Sequence, residues 1–103
     1  MSFIKQNTKV TMEHASLAAI PEYDLPQGFA LRWYEAGDEA AWRQIQAAAD
    51  RLNDITADLF LKTFGNEQTA HKQRICFLTT ATGEPIGTAA AWWGEEGRWG
   101  RVH

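Results

Sequence analysis

The 103 residues suffice for one small domain and are too few for a two-domain enzyme or a long repeat array. A hydrophobic fraction of 45% and a charged fraction of 22% are typical of globular chains and exclude a disordered one. The net charge of −3 gives no electrostatic reason to expect nucleic acid or a membrane surface as a partner. Cys76 is the only cysteine, which excludes an intramolecular disulfide and an all-cysteine metal site.

Membrane, targeting and metal signals are missing from the sequence. No apolar run approaches the roughly 20 residues of a membrane span. The N-terminus lacks the apolar core of a signal peptide, and residues 1–8 are expected to be flexible. His14 and His71 do not stand at metal-ligand spacing with Cys76. We therefore expect a cytoplasmic protein without a metal, built as a single domain over residues 1–103.

Two short strands are predicted before the first helix. Apolar residues alternate with polar ones over residues 9–13, which is a strand pattern. Residues 14–28 contain prolines and a glycine and are expected to form a loop. A second strand is predicted over residues 29–34. The apolar residues that share one face of this strand are Phe29, Leu31 and Trp33.

Two helices are predicted next. Asp38 is expected to cap the first, because its carboxylate can accept hydrogen bonds from the free amides of the first turn. This helix runs to about Arg51. Its apolar stripe consists of Trp42, Ile45, Ala49 and Leu52. Thr56 is expected to cap the second helix, and Gly65 to end it in a left-handed conformation. Residues 66–73 are polar and have room for one more short helical stretch.

Strands return in the last third of the chain. Residues 75–78 are apolar on both faces, as in an interior strand. A glycine turn leads to a second strand over residues 85–93, which completes a hairpin. Within this strand, Trp92 and Trp93 are expected to point to opposite faces. A further strand begins at Trp99, and the sequence ends within it.

The order of these elements and four short stretches point to one family. The stretches read LPQGFALR at 25–32, GDEAAW at 37–42, TGEPIGTA at 82–89 and GRVH at 100–103. Together they resemble the first half of the GNAT superfamily of acyl-CoA-dependent N-acetyltransferases. The resemblance implies an α+β fold, the N-terminal half of a GNAT-like domain. Its sheet would be mostly antiparallel, with two helices between the second and third strands and an open edge at the C-terminus.

The resemblance also implies an activity, the transfer of an acetyl group from acetyl-CoA to an amine. In this family a glycine-containing loop after the fourth strand opens a helix and holds the pyrophosphate of acetyl-CoA. The 103 residues end before that loop, so no cofactor-binding residue is expected within the chain. Acetyl-CoA would then be a co-substrate of a longer parent protein. The isolated chain is expected to be inactive and to bind acetyl-CoA weakly.

A second hypothesis comes from another class of protein, the non-catalytic interaction module. The predicted sheet leaves its last edge unpaired, and an unpaired edge invites strand addition or exchange. The chain would then form a homodimer or pair with a complementary C-terminal half. An end inside an apolar strand also favours a truncated protein over a complete small domain.

Acetylation of an amine needs a base that accepts the ammonium proton, and two residues are candidates. The family often takes this base from the fourth strand, where His103 stands, and the unperturbed pKa of histidine suits the task. The alternative for His103 is an exposed or core-facing histidine without a catalytic role. Glu96, beside Glu95, is the other candidate, and its alternative is a solvated turn between two strands.

Three residues are candidates for contacts with the acceptor amine. Asn53 and Asp54 lie between the two predicted helices, where members of the family commonly contact the acceptor. They could instead end one helix and cap the next. Trp92 could line an acceptor pocket, or it could pack in the core, where a small domain most needs aromatic burial.

Overall fold

The computed structural model describes residues 10–93 and 100–103. Their elements in chain order are β1 (Ala30–Trp33), α1 (Glu39–Ala49), α2 (Leu59–Phe64), α3 (Gln68–Arg74), β2 (Ile75–Thr79), β3 (Pro85–Trp93) and β4 (Gly100–Val102). The predicted α+β class with an antiparallel sheet is confirmed. The expected flexibility of residues 1–8 and the candidate base Glu96 fall outside the described residues.

The sheet has the order β1-β2-β3-β4, and each strand runs antiparallel to its neighbours. Leu31 of β1 lies opposite Leu78 of β2, and Cys76 of β2 lies opposite Ala89 of β3. The helices are inserted between β1 and β2, so one face of the sheet is available to them. Among the described strands, β1 and β4 are the outer two, and the predicted open edge at the C-terminal strand is confirmed.

The core lies between the helices and one face of the sheet. Its buried apolar residues are Tyr34, Trp42, Ile55, Phe60, Phe64, Ile75, Phe77 and Ala90. The ring of Trp42 meets Phe60 and Phe64 edge-on, at centroid distances of 5.4 and 5.7 Å. Aromatic side chains bury much area each, so a few of them give this short chain its core.

The strand predicted over residues 9–13 is wrong for the part that the structure describes. Residues 10–13 form no strand, and all four are exposed. Two alternating apolar residues bury little unless another strand pairs with them, and these residues pair with no described strand.

The first helix begins where the sequence predicts and ends two residues early. Asp38 holds the N-cap position, but its side chain makes no capping hydrogen bond. Its carboxylate binds Arg32 of β1 instead, because a guanidinium donates two charge-assisted hydrogen bonds to it. The helix ends at Ala49. Leu52, which was expected in its apolar stripe, therefore lies beyond the helix and is 75% exposed.

The second helix begins at Leu59, with Asp58 at the N-cap position. The prediction that Thr56 caps it is wrong, because the Thr56 hydroxyl donates to the Asp58 carboxylate at 2.6 Å. Gly65 ends the helix with a positive φ of +69°, as predicted, but its ψ of −163° lies outside the left-handed helical conformation. The third helix occupies the polar stretch that has room for one more short helical segment.

Trp92 and Trp93 do not hold their rings on opposite faces, so that prediction is wrong. The two indoles stack, with centroids 4.8 Å apart and planes inclined by 22°. The Arg74 guanidinium lies 4.3 Å from the ring centroid of Trp93. This cation–π contact favours the ring position of Trp93 over the one that strand alternation alone would give.

Candidate functional site

An open pocket of about 540 Å³ lies between α1, α2 and the end of the last strand. Its lining residues are Trp42, Gln46, Asp50, Asn53, Asp54, Ile55, Leu59, Thr63 and His103. Three of the residues selected from the sequence, Asn53, Asp54 and His103, thus meet in one pocket. Half of the chain separates the first two from the third, so β4 must be paired in the sheet before they can meet.

One wall of the pocket is a single face of α1. Trp42, Gln46 and Asp50 stand four residues apart, and side chains at this spacing lie one above another along a helix. Trp42 is buried, while Gln46 and Asp50 are half-buried. The apolar stripe predicted for this helix includes neither Gln46 nor Asp50. Their spacing from Trp42 is the signal that could have identified them as lining residues.

The loop after α1 is held in place by Asp50. One of its carboxylate oxygens accepts from the backbone amides of Leu52 and Asn53, at 3.0 and 3.2 Å. The other accepts from the side-chain amide of Asn53 at 2.9 Å. The hydrogen bond from Asn53 and then that from Leu52 lower the pKa of Asp50. Arg43 ties the far end of the loop to α1, because its Nε donates to the Ile55 carbonyl at 3.1 Å.

Asp54 follows directly and is exposed at the pocket. Asp50 holds the C-cap position of α1, and the Asn53 side chain donates a hydrogen bond to it. This part of the loop therefore serves to end the helix. The side chain of Asp54 is not used in that turn. The pocket therefore has two carboxylates beside it, Asp50 and Asp54, at the end of α1.

His103 lies at the other side of the pocket, fixed by its backbone. Its N–H donates to the Ala90 carbonyl and its carbonyl accepts from the Ala90 N–H, both at 2.9 Å. Its ring meets Phe64 of α2 nearly edge-on, with centroids 5.4 Å apart. Burial, and then the positive charge of Arg101, lower the pKa of His103. The imidazole is therefore neutral at neutral pH and can accept a proton.

Trp92 does not line the pocket. Its ring meets Phe64 nearly edge-on at a centroid distance of 5.1 Å and stacks on Trp93. Trp92 packs against the core cluster. This is the packing alternative that the sequence left open.

His71 is a buried polar residue of the core, and its position in a polar stretch of sequence does not predict this. It is 1% exposed, and its Nε2 lies 3.1 Å from the Phe64 carbonyl. Its ring meets Tyr34 and Phe60 nearly edge-on, at centroid distances of 5.0 and 5.1 Å. The residue joins α3 to the last residue of α2. A single histidine in a polar stretch of sequence gives no indication that its side chain is buried.

The described helices do not suit the pyrophosphate of acetyl-CoA. A helix N-terminus binds such an anion through free amides and the positive end of the helix dipole. The N-cap residues here are Asp38, Asp58 and Glu67. A carboxylate at each position repels a diphosphate, so none of these three helix N-termini suits this part of the co-substrate.

Comparison of the chain with family models, with curated proteins and with solved structures finds no match. Within the described residues, no helix has the length and apolarity needed to cross a membrane. In the same part of the chain, no group of three or more histidine, cysteine, aspartate or glutamate side chains is arranged to hold a metal ion.

Proposed function

We propose that the chain is the acceptor-binding part of an acyl-CoA-dependent N-acetyltransferase of the GNAT kind. In this proposal the pocket between α1 and α2 receives the amine that is acetylated. The observation that supports it is the meeting of Asn53, Asp54 and His103 in one pocket. These residues were selected for acceptor contacts and proton transfer on the resemblance alone.

The chemistry of the pocket suits an alkylammonium ion. The carboxylates of Asp50 and Asp54 attract a positive charge, and Asp50 is held ionised by the hydrogen bonds that lower its pKa. Trp42 and Leu59 offer apolar surface to the carbon chain of the amine. Such an ion would place its charge near the loop and its carbon chain along the helices.

The proposed role of His103 is to accept the proton of the bound ammonium. An amine attacks a thioester only in its neutral form, so this proton must leave first. His103 is a free base at neutral pH, because its pKa is lowered. None of the described helix N-termini suits the pyrophosphate of acetyl-CoA, so we assign the binding of acetyl-CoA to the rest of a longer parent protein.

A cytoplasmic location is part of the proposal. Its support is the single thiol, Cys76, which is free and half-buried. A chain without disulfides needs no oxidising compartment.

The test is a titration of the chain with n-butylamine, followed by the backbone amide shifts. We expect the shift changes to concentrate on the pocket residues. Asp54→Asn should weaken the binding, whereas Asp24→Asn, in the exposed segment before β1, should leave it unchanged. Shift changes spread evenly over the surface would contradict an acceptor pocket.

The binding should also depend on pH through His103. As the pH falls through the lowered pKa of His103, the imidazole gains a positive charge and repels the ammonium ion. His103→Gln should remove this part of the pH dependence.

In a separate calorimetric titration, we expect no micromolar binding of acetyl-CoA to the chain. Tight binding of acetyl-CoA would contradict the proposal that acetyl-CoA binds to another part of the parent protein.

A second candidate function, that of an interaction module, is supported by the open edge at β4. Ala90 and His103 exchange both backbone hydrogen bonds. In an antiparallel ladder the next residue, Val102, then directs its N–H and C=O away from β3, toward the open edge. A strand of another chain could pair there. Two results would favour this candidate. The Val102 amide would exchange slowly with solvent in concentrated protein, and n-butylamine would change none of the backbone amide shifts.

A further inference from the structure

One face of the sheet carries no charge and is not covered. We call it the outer face: the alternate residues of the strands that point away from the helices. Strand register and alternation place on it Leu31, Trp33, Cys76, Leu78, Ala91 and Val102, together with Gly87, Ala89 and Gly100. Trp93 stands at the same alternation at the end of β3, but its ring stacks on Trp92 beneath Arg74. Charged residues make up 22% of the chain, but none lies on the outer face.

The outer face exposes large apolar side chains. Leu31 is 58% exposed, Trp33 59% and Val102 82%. The opposite face carries Ile75, Phe77 and Ala90, which are all buried under the helices. The described residues thus form a two-layer structure in which one sheet face packs and the other meets solvent.

The outer face supplies most of the area that a contact surface between proteins needs. Together its side chains expose roughly 600 Å², at the upper end of the largest apolar patch on a typical monomer. An interface of standard size buries about 800 Å² on each partner. The outer face with a narrow rim around it supplies that area.

We propose that the outer face binds the outer face of a second copy of this chain. A surface without charge is matched by another surface without charge, and self-association keeps every charged residue of both copies in water. In shape, the face is high at β1, where Leu31 and Trp33 stand, and low along the middle of β3, at Gly87, Ala89 and Ala91. A twofold axis across the face sets the high strand of each copy over the low strand of the other.

The described part of the chain does not itself cover the outer face. Every residue from 10 to 31 is exposed, so the segment before β1 is not packed on it. At one end of the sheet, Arg74 lies over the ring of Trp93 and forms a charged rim. The proposed contact between two outer faces does not depend on whether the chain is part of an acetyltransferase or an interaction module.

The test is sedimentation equilibrium of the 103-residue chain from micromolar to millimolar concentration, where we expect a dimer. Leu31→Lys should weaken it by roughly 100-fold or more, because a twofold contact buries the new charge twice. The matched control is Leu61→Lys. Leu61 stands on α2, away from the outer face, and is 55% exposed against 58% for Leu31, so this change should leave the dimer intact.

Two further measurements locate the contact. Cys76 lies on the outer face, so its reaction with a thiol reagent should slow as the dimer forms. The Val102 amide should keep exchanging rapidly, because the edge of β4 takes no part. Circular dichroism checks that Leu31→Lys remains folded. Val102→Lys, at the far side of the face, provides a second disruption of the same contact.

Three results would overturn the proposal. The first is a monomer over the whole concentration range. The second is a dimer in which the Val102 amide is protected while Cys76 reacts at the monomer's rate, as pairing through the edge of β4 requires. The third is a Cys76 that reacts slowly at every concentration, which indicates that a segment of the same chain covers the face.

Discussion

Arg32 and Asp38 form a bidentate salt bridge that connects β1 to the start of α1. The two guanidinium nitrogens lie 2.7 and 2.9 Å from the two carboxylate oxygens of Asp38. The same carboxylate also accepts from the backbone N–H of Glu35 at 2.6 Å. The hydrogen bond from Arg32 is the main cause that lowers the pKa of Asp38. Planar pairs of this kind are among the stronger charge-assisted contacts in proteins.

Asp38→Asn should lower the free energy of unfolding by about 1–3 kcal/mol at neutral pH, because it removes charge-assisted hydrogen bonds from a side chain that is largely buried. The lowered pKa of Asp38 sets the pH dependence. Its stabilisation is complete above the ordinary carboxyl pKa of about 4 and is lost as the pH falls through the lower folded-state pKa. Chemical unfolding of both proteins at several pH values measures the difference.

The control for that experiment is Asp24→Asn, because Asp24 is exposed in the segment before β1. This change should alter stability by no more than about 0.5 kcal/mol. A difference between the wild type and Asp38→Asn that stays constant into strong acid would contradict the ion pair.

Trp42→Ala should cost about 3–5 kcal/mol of stability, because Trp42 is 5% exposed and packs edge-on against two phenylalanine rings. Leu52→Ala should cost no more than about 0.5 kcal/mol, since Leu52 lies beyond α1 and is 75% exposed. Both residues belong to the apolar stripe predicted from the sequence. Equal costs for the two changes would show that Leu52 is in the core after all.

Gly65→Ala should destabilise the protein by about 1–3 kcal/mol through backbone strain alone. With φ of +69° and ψ of −163°, Gly65 lies in a region that is almost exclusive to glycine. A Cβ built there meets no heavy atom within 4 Å, so crowding adds nothing. Gly87→Ala, whose Cβ would make ordinary contact with Leu78, is the matched control and should have a much smaller effect in thermal unfolding.

His71 should carry its proton on Nε2, because that atom faces the Phe64 carbonyl, which can only accept a hydrogen bond. Nitrogen-15 NMR of the imidazole at neutral pH reads the tautomer directly. His71→Phe keeps a ring in the core but leaves the carbonyl without this donor, so it should cost about 1–3 kcal/mol. A proton found on Nδ1 would contradict the contact, because Nδ1 is buried and has no hydrogen-bond partner among the described residues.

The strand predicted at residues 9–13 and the predicted burial of Leu52 show why apolar spacing alone does not predict burial. Both are apolar positions with the right spacing, but spacing describes only which side chains share a face. Whether that face is buried depends on a partner surface, and neither position meets one among the described residues. Leu31 and Trp33 share a face of β1, as their alternation predicts, and that face is open to solvent.

The candidate site was predictable in part. Asn53, Asp54 and His103 were selected through the resemblance, and the structure places all three at one pocket. Gln46 and Asp50 were missed, because a polar residue on a helix that faces a pocket has the same sequence pattern as one that faces water.

The sequence by itself determined the periodicity of the elements, the α+β class and the end of α2 at Gly65, because these depend on residues close together in the chain. Only the tertiary structure decided which apolar faces are buried and which side chains meet. Asp38 pairs with Arg32 instead of capping its helix, and His103 reaches the pocket through the pairing of β4 with β3. Such contacts join distant parts of the chain, and their energies depend on the geometry of the whole fold.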